Sequence, residues 1–339
     1  MTRRVDILPA RRKIEVPEGR TILEAALAEG IPYPHGCRSG RCGSCKSRLV
    51  SGQVDLLEHT RFALSDEEKA EGFVLACRAL PKVDSRIAWL GGSAETADHP
   101  RRKLHCRVVA LDDATHDIKR IRLAIEDGGP FAFTAGQYAR LTLPGAPSRD
   151  YSMANKPGEQ ELEFHVRRVP GGETSTHIAL NLKVGDTLQV DGPFGSSYLR
   201  EMHTGPILCI AGGSGLAPIK SIVETALEHG MKQPIHIYVG ARSERDLYLV
   251  DHFETLSRRH HNLSVSAVLS DASPQSIWRT GFVTDAVAED LRDLDGWKAY
   301  VAGPPAMVDA AFQILSDRGL RTQDLHADVF FTPDEANAA

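Results

Sequence analysis

Four cysteines near the start of the chain constrain its fold more than any other feature of the sequence. Cys37, Cys42 and Cys45 stand at C-x4-C-x2-C spacing, and Cys77 follows downstream. This spacing is typical of a [2Fe–2S] cluster, whose two irons need four converging thiolates. Interspersed glycines permit a loop that bends closely around the cluster. The alternatives are a structural zinc site and plain buried thiols. Zinc usually takes two short Cys pairs, and this segment has one C-x2-C.

Composition excludes several broad classes. The 339 residues include 40 Lys plus Arg and 45 Asp plus Glu, a formal net charge of −5, so we expect no nucleic-acid partner. No apolar run approaches the ~20 residues of a membrane helix, and residues 1–16 lack the apolar core of a secretory signal. Six cysteines in so long a chain indicate metal chemistry in a reducing cytoplasm rather than a disulfide framework. Cys106 and Cys209 lie in apolar segments and are expected to be core thiols.

Glycine, proline and small polar residues divide the chain into segments. We expect a first domain over residues 1–92, a linker over 93–100, a second domain over 101–202 and a third over 203–339. The first domain begins with a strand pair, and a capping box over residues 21–24 begins a helix. Short alternating runs predict an antiparallel barrel in the second domain. Strands alternating with helices predict a parallel α/β sheet in the third.

The cysteine segment resembles the cluster loop of plant-type ferredoxins. The resemblance rests on residues 34–46, PHGCRSGRCGSCK, and on residues 75–77, Leu-Ala-Cys. It implies a β-grasp fold with the four cysteines as cluster ligands. Four basic residues distinguish this loop from many stand-alone members of that family, which are acidic: Arg38, Arg41, Lys46 and Arg48. These residues are either a solvated rim without a function or a functional feature. In the second case they form a docking face, or their positive charge favours the reduced cluster.

Two motifs of the second domain are suited to a flavin nucleotide. Residues 149–152, Arg-Asp-Tyr-Ser, offer an aromatic face for stacking, a guanidinium for phosphate and a hydroxyl for a ring nitrogen. Alone, this motif favours a strand with a buried tyrosine and a surface arginine over a flavin site. Residues 171–176 precede a helix expected over 177–182 and so predict an anion site at a helix N-terminus. Residues 191–195 are expected to close the domain as a turn.

A glycine-rich segment of the third domain predicts a second phosphate site. Residues 211–218, AGGSGLAP, lie between a predicted strand and a helix with Pro218 at its first position. The pattern falls short of a full dinucleotide fingerprint. Its glycines nevertheless let the backbone approach a pyrophosphate, and the helix dipole favours that charge. A tight turn is the alternative, and it explains one glycine better than three.

In this order the motifs resemble the flavin and nicotinamide domains of the ferredoxin–NADP reductase superfamily. The resemblance implies a six-stranded antiparallel barrel that binds FAD and a parallel α/β domain that binds NAD(P)H. It implies that Arg149 meets the flavin phosphates, Tyr151 packs on the isoalloxazine and Ser152 approaches N5 as a catalytic group. The other cofactor-binding residues implied in these motifs are His165, Val166, Arg167, Gly172, Ser175, Thr176, Gly213, Ser214, Gly215 and Pro218.

Two segments near the end of the chain resemble the same superfamily. Residues 301–307 resemble its nicotinamide loop, with Ala302 where the family usually has Cys. The residues this implies at the nicotinamide are Gly303, Pro304 and Pro305. Asp328 and Phe330 resemble its terminal acidic–aromatic motif, which implies catalytic roles for both and a flavin-shielding role for the aromatic ring. A last strand with core phenylalanines is the alternative.

The choice of coenzyme depends on residues 240–248, where the adenosine ribose is expected. Arg242, Ser243 and Arg245 are suited to a 2′-phosphate, which favours NADPH. The same run also resembles that of oxygenase reductases that use NADH. We therefore expect NADH as the coenzyme, with NADPH as the alternative and Arg242 as a binding residue in either case.

The order of the three domains resembles the reductase component of bacterial multicomponent aromatic-ring oxygenases. The resemblance implies that NADH reduces the flavin, and that electrons then pass singly through the cluster to an oxygenase component or a Rieske-type ferredoxin. A flavin is needed because NADH does not readily give one electron and the cluster does not accept two. Two alternatives stay open: a reductase for another acceptor, such as a sugar deoxygenase or a membrane-bound monooxygenase, and a non-catalytic redox sensor.

Overall fold

A computed structural model of the chain describes residues 2–8, 10–35, 38, 40, 43–61, 63–89 and 99–332. The chain divides into two compact units, each described here by itself. The first unit is Met1–Thr96 with Glu335–Ala339, and the second is Ala97–Asp334. The linker expected over residues 93–100 lies outside the described residues except for its last two positions.

The first unit has a mixed sheet and two short helices in its described residues. Its elements are β1 Arg3–Leu8, β2 Arg12–Val16, α1 Ile22–Ala28, β3 Lys46–Ser51, β4 Val54–Leu56, α2 Asp66–Ala70, β5 Phe73–Leu75, β6 Ala79–Pro81 and β7 Ser85–Trp89. The sheet order is β2-β1-β7-β3-β5, and β4 pairs with β6. Strand β1 is antiparallel to β2 and parallel to β7. This is the predicted β-grasp arrangement.

Local sequence signals explain how helix α1 begins and what it covers. The Thr21 hydroxyl accepts a hydrogen bond from the Glu24 N–H at 3.3 Å, and the Glu24 carboxylate accepts one from the Thr21 N–H at 2.9 Å. This capping box satisfies two N–H groups that a helix start leaves unpaired. Ile22, Leu23 and Ala26 are buried in the same core as strands β1 and β2. The helix therefore fixes one side of the sheet that carries the cysteines.

The second unit begins with an antiparallel barrel. Its elements are β8 Arg102–Asp113, β9 Ile118–Asp127, β10 Tyr138–Thr142, β11 Arg149–Ser152, β12 Glu161–Arg167, α3 Glu173–Leu180 and β13 Thr187–Phe194. The strand order is β11-β10-β13-β8-β9-β12, with antiparallel neighbours. A bridge between Met153 and Phe164 brings the two edge strands together. The predicted barrel is thus nearly closed.

Two local predictions in the barrel are wrong. Helix α3 begins at Glu173 rather than at residue 177, so Ser175 and Thr176 lie in its first turn. Its N-cap, Gly172, offers no side chain to mark the start. Residues 191–195 do not form a turn, because β13 continues to Phe194. There Gly192 pairs with β8 and Phe194 pairs with β10, so cross-strand hydrogen bonds override the turn preference of Gly-Pro.

A parallel sheet with helices completes the second unit. Its elements are β14 Ile207–Gly212, α4 Leu216–Glu228, β15 Ile235–Ala241, α5 Val250–Arg259, β16 Leu263–Leu269, β17 Arg279–Thr280, α6 Val283–Asp290, β18 Lys298–Gly303, α7 Pro305–Asp317 and β19 Leu325–Val329. The order β17-β16-β15-β14-β18-β19 is parallel throughout. The direction of strand succession reverses between β14 and β18. Ligands of such sheets bind at the carboxyl ends of the strands beside this reversal.

The two cysteines outside the cluster motif are core residues, as expected. Cys106 lies in the barrel core and Cys209 in the core of the parallel sheet, and neither side chain is exposed. Burial raises the pKa of the Cys106 thiol to about 12 and also raises that of Cys209. Both thiols are therefore protonated and unreactive at neutral pH. Within the described ranges, no helix combines the length and apolar character needed to cross a membrane.

Candidate functional site

The structure brings the two described cluster cysteines together at one end of the first sheet. Cys45 immediately precedes β3, and Cys77 follows β5, the neighbouring antiparallel strand. The Cys77 N–H donates to Cys45 Sγ at 3.5 Å, and both residues are at most 4% exposed. A buried cysteine sulfur that accepts the backbone N–H of a second buried cysteine fits an iron–sulfur centre. Cys37 and Cys42 lie outside the described residues.

The basic residues around the cysteines do not form one uniform rim. Lys46 is buried, and its ammonium group lies 2.6 Å from the Glu68 carboxylate. Arg48 is exposed, and its guanidinium lies 5.6 Å from the centroid of the Phe73 ring. Arg38 is also exposed. Lys46 therefore forms an internal ion pair, whereas Arg38 and Arg48 carry exposed positive charge. Arg41 lies outside the described residues.

The flavin motif lies on strand β11 at the edge of the barrel. Arg149 is exposed, and Tyr151 stands opposite Ala139 of strand β10. Burial of the tyrosine hydroxyl raises the pKa of Tyr151. Ser152 is buried, and its hydroxyl donates a short hydrogen bond to the Asp328 carboxylate. Since Asp328 lies on β19, this contact joins the barrel motif to the parallel sheet.

The glycine turn before α3 leaves no room for a side chain at Gly172. A Cβ atom at Gly172 would lie 2.5 Å from Val169 Cγ2 and 2.6 Å from Ser175 Oγ. The Ser175 hydroxyl donates to the Gly172 carbonyl at 3.1 Å and accepts from the Val169 N–H at 3.2 Å. Its side chain thus supports the turn, while Thr176 extends the first helical turn. The N–H groups that begin α3 are those at which the anion site is expected.

The residues predicted on strand β12 have different surroundings. Val166 is 1% exposed and fills the barrel core. His165 is buried against Glu163 and Tyr248. Arg167 donates from Nε to Asp117 at 2.7 Å. Burial alone would raise the pKa of Asp117, but its hydrogen bonds lower it, so Arg167 faces a carboxylate.

The loops after β14 and β18 meet at the reversal point of the parallel sheet. A single 3-10 turn, Gly213–Gly215, leads directly into α4. A Cβ atom at Gly215 would lie 2.5 Å from the carbonyl carbon of Ala302 and 3.0 Å from the Gly303 nitrogen. A Cβ atom at Gly212 would lie 3.0 Å from Pro304 Cδ. The glycines are therefore needed for the two loops to touch.

A cavity of about 170 Å³ opens beside these loops. Its lining includes Arg167, Gly213, Arg242, Asp246, Phe282 and Pro304. Phe282 is 67% exposed, an unusual state for a large aromatic side chain. Concave sites with a few convergent polar groups and an aromatic wall are typical of nucleotide ligands. The residues present thus fit a dinucleotide bound across the sheet edge.

Two prolines and one serine in these loops lie where the helices begin. Pro305 is the first residue of α7, as a proline near the start of a helix favours. Pro218 is the third residue of α4, which begins at Leu216, so the prediction that it starts the helix is wrong. Ser214 is buried in the 3-10 turn.

The terminal motif lies beside the nicotinamide loop. The Phe330 N–H donates to the Gly303 carbonyl at 2.9 Å, just beyond the end of β19. Phe330 and Phe331 are both partly exposed. They are therefore not simple core phenylalanines on a last strand. Asp328, Phe330 and Gly303 together form one edge of the site that Ser152 reaches from the barrel.

Sequence reasoning missed several residues around this site. Asp117, Asp246 and Phe282 line the cavity, and Tyr248 contacts His165 and Gly213. Phe282 follows β17, at the edge where parallel strands place their ligands. Its position after a strand end was a usable signal. No sequence signal indicated the contacts of Tyr248, because they join segments that are remote in sequence.

Three family profiles match the chain in the predicted order. The 2Fe-2S iron-sulfur cluster binding domain matches residues 5–82, the oxidoreductase FAD-binding domain residues 105–199 and the oxidoreductase NAD-binding domain residues 209–313. Fold and site together define an NADH-dependent oxidoreductase that uses FAD and a [2Fe–2S] cluster. The predicted fold class and cofactors are thereby confirmed.

Proteins similar over their whole length narrow the class to a family. The reductase component of the naphthalene 1,2-dioxygenase/salicylate 5-hydroxylase systems of a Ralstonia species is 39% identical over 95% of this chain and 97% of that protein. The phenol 2-monooxygenase reductase component of a Pseudomonas species is 39% identical over 98% of this chain and 95% of its own length. The chain belongs to the family of ferredoxin-fused reductase components of bacterial oxygenase systems.

Solved structures agree with this assignment. The crystal structure of the Amycolatopsis cytochrome P450 reductase GcoB matches with a TM-score of 0.75 and 36% identity, covering 97% of this chain and 99% of that one. The ferredoxin reductase in carbazole 1,9a-dioxygenase matches with a TM-score of 0.69 and 30% identity, covering 98% and 99%. The resemblance predicted from the sequence motifs is therefore confirmed.

Proposed function

We propose that this reductase passes electrons from NADH, through FAD and the [2Fe–2S] cluster, to an oxygenase component or Rieske-type ferredoxin of an aromatic oxygenase system. The contact between Ser152 and Asp328 carries the proposal, because it joins the flavin motif to the edge of the coenzyme site. Relatives that serve both dioxygenase and monooxygenase systems support an oxygenase as the final acceptor. The clustered thiols favour the cytoplasm as its compartment.

The domain limits and site residues support this division of labour. We assign residues 1–92 to the cluster, 101–202 to FAD and 203–339 to NADH, with 93–100 as the linker. The proposed cluster ligands are Cys37, Cys42, Cys45 and Cys77. The proposed FAD residues are Arg149, Tyr151, Ser152, His165, Val166, Arg167, Gly172, Ser175 and Thr176. The proposed coenzyme residues are Gly213, Ser214, Gly215, Pro218, Arg242, Gly303, Pro304, Pro305 and Phe330.

Each group of residues has a distinct chemical task. FAD, when bound, converts a two-electron hydride donor into single electrons for the cluster. Ser152 and Asp328 hold one proton between a hydroxyl and a carboxylate at the proposed flavin edge. Phe330, whose N–H donates to the Gly303 carbonyl, would shield the flavin and yield to the nicotinamide when both are bound. The chain therefore needs no nucleophile or acid–base triad of its own.

Asp246 supports NADH as the preferred coenzyme. Its carboxylate lines the cavity and accepts hydrogen bonds from Ser243 N at 2.9 Å and Ser243 Oγ at 2.8 Å. The serine hydroxyl is thus engaged within the protein instead of being free for a 2′-phosphate. A nearby carboxylate also repels that phosphate. Arg242 lines the same cavity and is left to interact with the pyrophosphate or ribose.

Replacing Ser152 with alanine tests the proposed flavin site. Ser152→Ala removes the hydrogen bond to Asp328 but little volume, so FAD content should stay at the wild-type level. We expect reduction of the flavin by NADH in stopped flow to slow by about 10- to 100-fold, as loss of a hydrogen bond to a charged group implies. Ser148→Ala is the matched control, because the exposed Ser148 hydroxyl hydrogen-bonds to the Thr142 hydroxyl, at 2.8 Å, within the barrel.

The rate of flavin reduction in Ser152→Ala decides whether Ser152 takes part in the hydride step. If Ser152→Ala is reduced as fast as wild type, Ser152 has no part in the hydride step and the proposed site is wrong. The acceptor is tested separately by mixing the protein and NADH with an oxygenase component or with a Rieske-type ferredoxin. If the absorbance of neither the oxygenase component nor the Rieske-type ferredoxin bleaches, while the same reductase reduces ferricyanide rapidly, the proposed acceptor is wrong.

A further inference from the structure

Strand β12 turns a polar face away from the barrel core. Side chains alternate along a strand, so Phe164 and Val166 fill the core while Glu163, His165 and Arg167 share the opposite face. Glu163 is nevertheless 8% exposed and His165 only 3%. Burial of a carboxylate and an imidazole is costly unless both have partners. Glu163 and His165 contact each other, and Tyr248 and Lys220 from the parallel-sheet part of the same unit supply further partners.

A chain of contacts leads from Glu163 to the glycine turn. His165 Nε2 lies 2.7 Å from Glu163 Oε1, and His165 Nδ1 lies 3.1 Å from the Tyr248 hydroxyl. The same hydroxyl donates to the Gly213 carbonyl at 3.4 Å. Lys220 of helix α4 lies 3.5 Å from the other Glu163 oxygen. Glu163 is thus connected both to the glycine turn and to the helix that follows it.

The protonation states of Glu163 and His165 decide which groups donate and which accept in this series of hydrogen bonds. Burial alone would raise the pKa of Glu163, but the hydrogen bond from His165 and the charges of Lys220 and Arg120 lower it to about 2. Burial lowers the pKa of His165, against the opposing effect of Glu163. A neutral His165 donates from Nε2 to the carboxylate and accepts at Nδ1. The single proton of the Tyr248 hydroxyl then has Nδ1 as its nearer acceptor, at 3.1 Å, and the Gly213 carbonyl as a longer second acceptor, at 3.4 Å.

We propose that His165 and Tyr248 are positioning residues for the coenzyme, which hold the Gly213–Gly215 turn at a fixed place against strand β12. Arg167 supports the same assignment, because a Cβ atom at Gly213 would lie 3.1 Å from its Nη1. One barrel strand thus sets the position of the turn directly through Arg167 and indirectly through His165. The inference rests on the proposed assignment of this turn to the coenzyme pyrophosphate.

Removal of one hydroxyl tests the role of Tyr248. Tyr248→Phe keeps the ring but loses its contacts with His165 and Gly213. We expect the dissociation constant of NAD⁺, measured by calorimetry on the full holoprotein, to rise by about two- to tenfold, as loss of one hydrogen bond implies. Tyr238→Phe is the matched control, since it loses a hydrogen bond between strand β15 and Asp290 of helix α6, at 3.0 Å, elsewhere in the same unit. It should bind NAD⁺ like wild type.

Conservative rescue tests the role of His165. His165→Gln retains a donor for Glu163 and an acceptor for Tyr248, so its affinity for NAD⁺ should stay within about twofold of wild type. His165→Leu removes both and should weaken binding as Tyr248→Phe does. Equal weakening by Gln and Leu would contradict the hydrogen-bonding role. If the Leu variant fails to fold, comparison of Tyr248→Phe with Tyr238→Phe decides.

A third variant separates this inference from the assignment on which it rests. Gly215→Ala disturbs the turn itself. If Gly215→Ala leaves NAD⁺ binding unchanged, the turn is not the coenzyme site and both proposals fail. If Gly215→Ala weakens binding while Tyr248→Phe and Tyr238→Phe both match wild type, the coenzyme site stands and the positioning role is overturned.

Discussion

The clearest structural prediction concerns the contact between the two loops at the sheet reversal. The Gly215 backbone is in the right-handed helical region, with φ −58° and ψ −15°, so alanine adopts it without strain. The objection to a side chain is purely steric. A Cβ atom would lie 2.5 Å from the Ala302 carbonyl carbon, where carbon atoms prefer roughly 3.5–4.0 Å. Gly215→Ala must therefore separate the loops by about 1 Å.

The cost of that separation sets the size of the effect. Overpacking in a close-packed region costs about 1–3 kcal/mol. If the displaced loops no longer match the coenzyme, that energy corresponds to a roughly five- to hundredfold rise in the dissociation constant of NAD⁺. FAD content should stay near the wild-type level, because the barrel motifs lie elsewhere. Calorimetric titration with NAD⁺ and the flavin-to-protein absorbance ratio measure the two quantities.

The other end of helix α4 supplies a matched control. Gly230 follows the helix with φ +71°, and a Cβ atom added there would meet no described atom within 4 Å. Gly230→Ala should cost about 1 kcal/mol of unfolding free energy through its left-handed backbone and should leave NAD⁺ affinity unchanged. Unchanged affinity in Gly215→Ala, or equal weakening in both variants, would refute the argument that loop contact builds the site.

Two further predictions concern stability and domain independence. Because the pKa of Glu163 is lowered in the folded state, ionised Glu163 stabilises the protein above the ordinary carboxyl pKa, and this stabilisation is lost as pH falls. Between pH 7 and pH 4, the unfolding free energy measured in urea should fall by about 1 kcal/mol more in wild type than in Glu163→Gln. The control Glu161→Gln, at a partly exposed position of the same strand, should follow wild type. A chain beginning at Pro100 should fold, because one compact unit ends near that residue. It should bind FAD and reduce ferricyanide with NADH, but it should reduce the native acceptor poorly because it lacks the cluster. A truncated chain that reduces the native acceptor at the full rate would show that electrons do not leave the protein through the cluster.

Local signals in the sequence predicted the elements whose boundaries depend on side chains. Helix α1 begins at the capping box of Thr21, and the alternating residues of β1 and β2 pair as expected. Helix α3 was misplaced because Gly172 caps it without a side chain. Strand β13 passes through Gly192 because its neighbours on both sides pair with it. Such pairing depends on strands that are distant in sequence.

The site divides in the same way. Motif order predicted the segments to which we assign the cofactor residues, and the contact between Ser152 and Asp328 joins two of these segments. The tasks assigned to single residues remain predictions. Burial of Glu163 and His165 was not predictable, because their alternating pattern also fits a solvated outer face of a barrel. Only the packing of the parallel sheet on that face shows that they are internal.

The electron path from NADH through FAD to the cluster is the central claim, and rapid-freeze electron paramagnetic resonance tests it most directly. After the wild-type holoprotein is mixed with NADH, its flavin absorbance should bleach, and the electron paramagnetic resonance signal of a reduced [2Fe–2S] centre should follow. Cys42→Ala should lose iron and acid-labile sulfide, retain flavin bleaching and show no cluster signal. A wild-type cluster that stays oxidised while the flavin is fully reduced, or a Cys42→Ala variant that keeps its iron and its signal, would contradict the account.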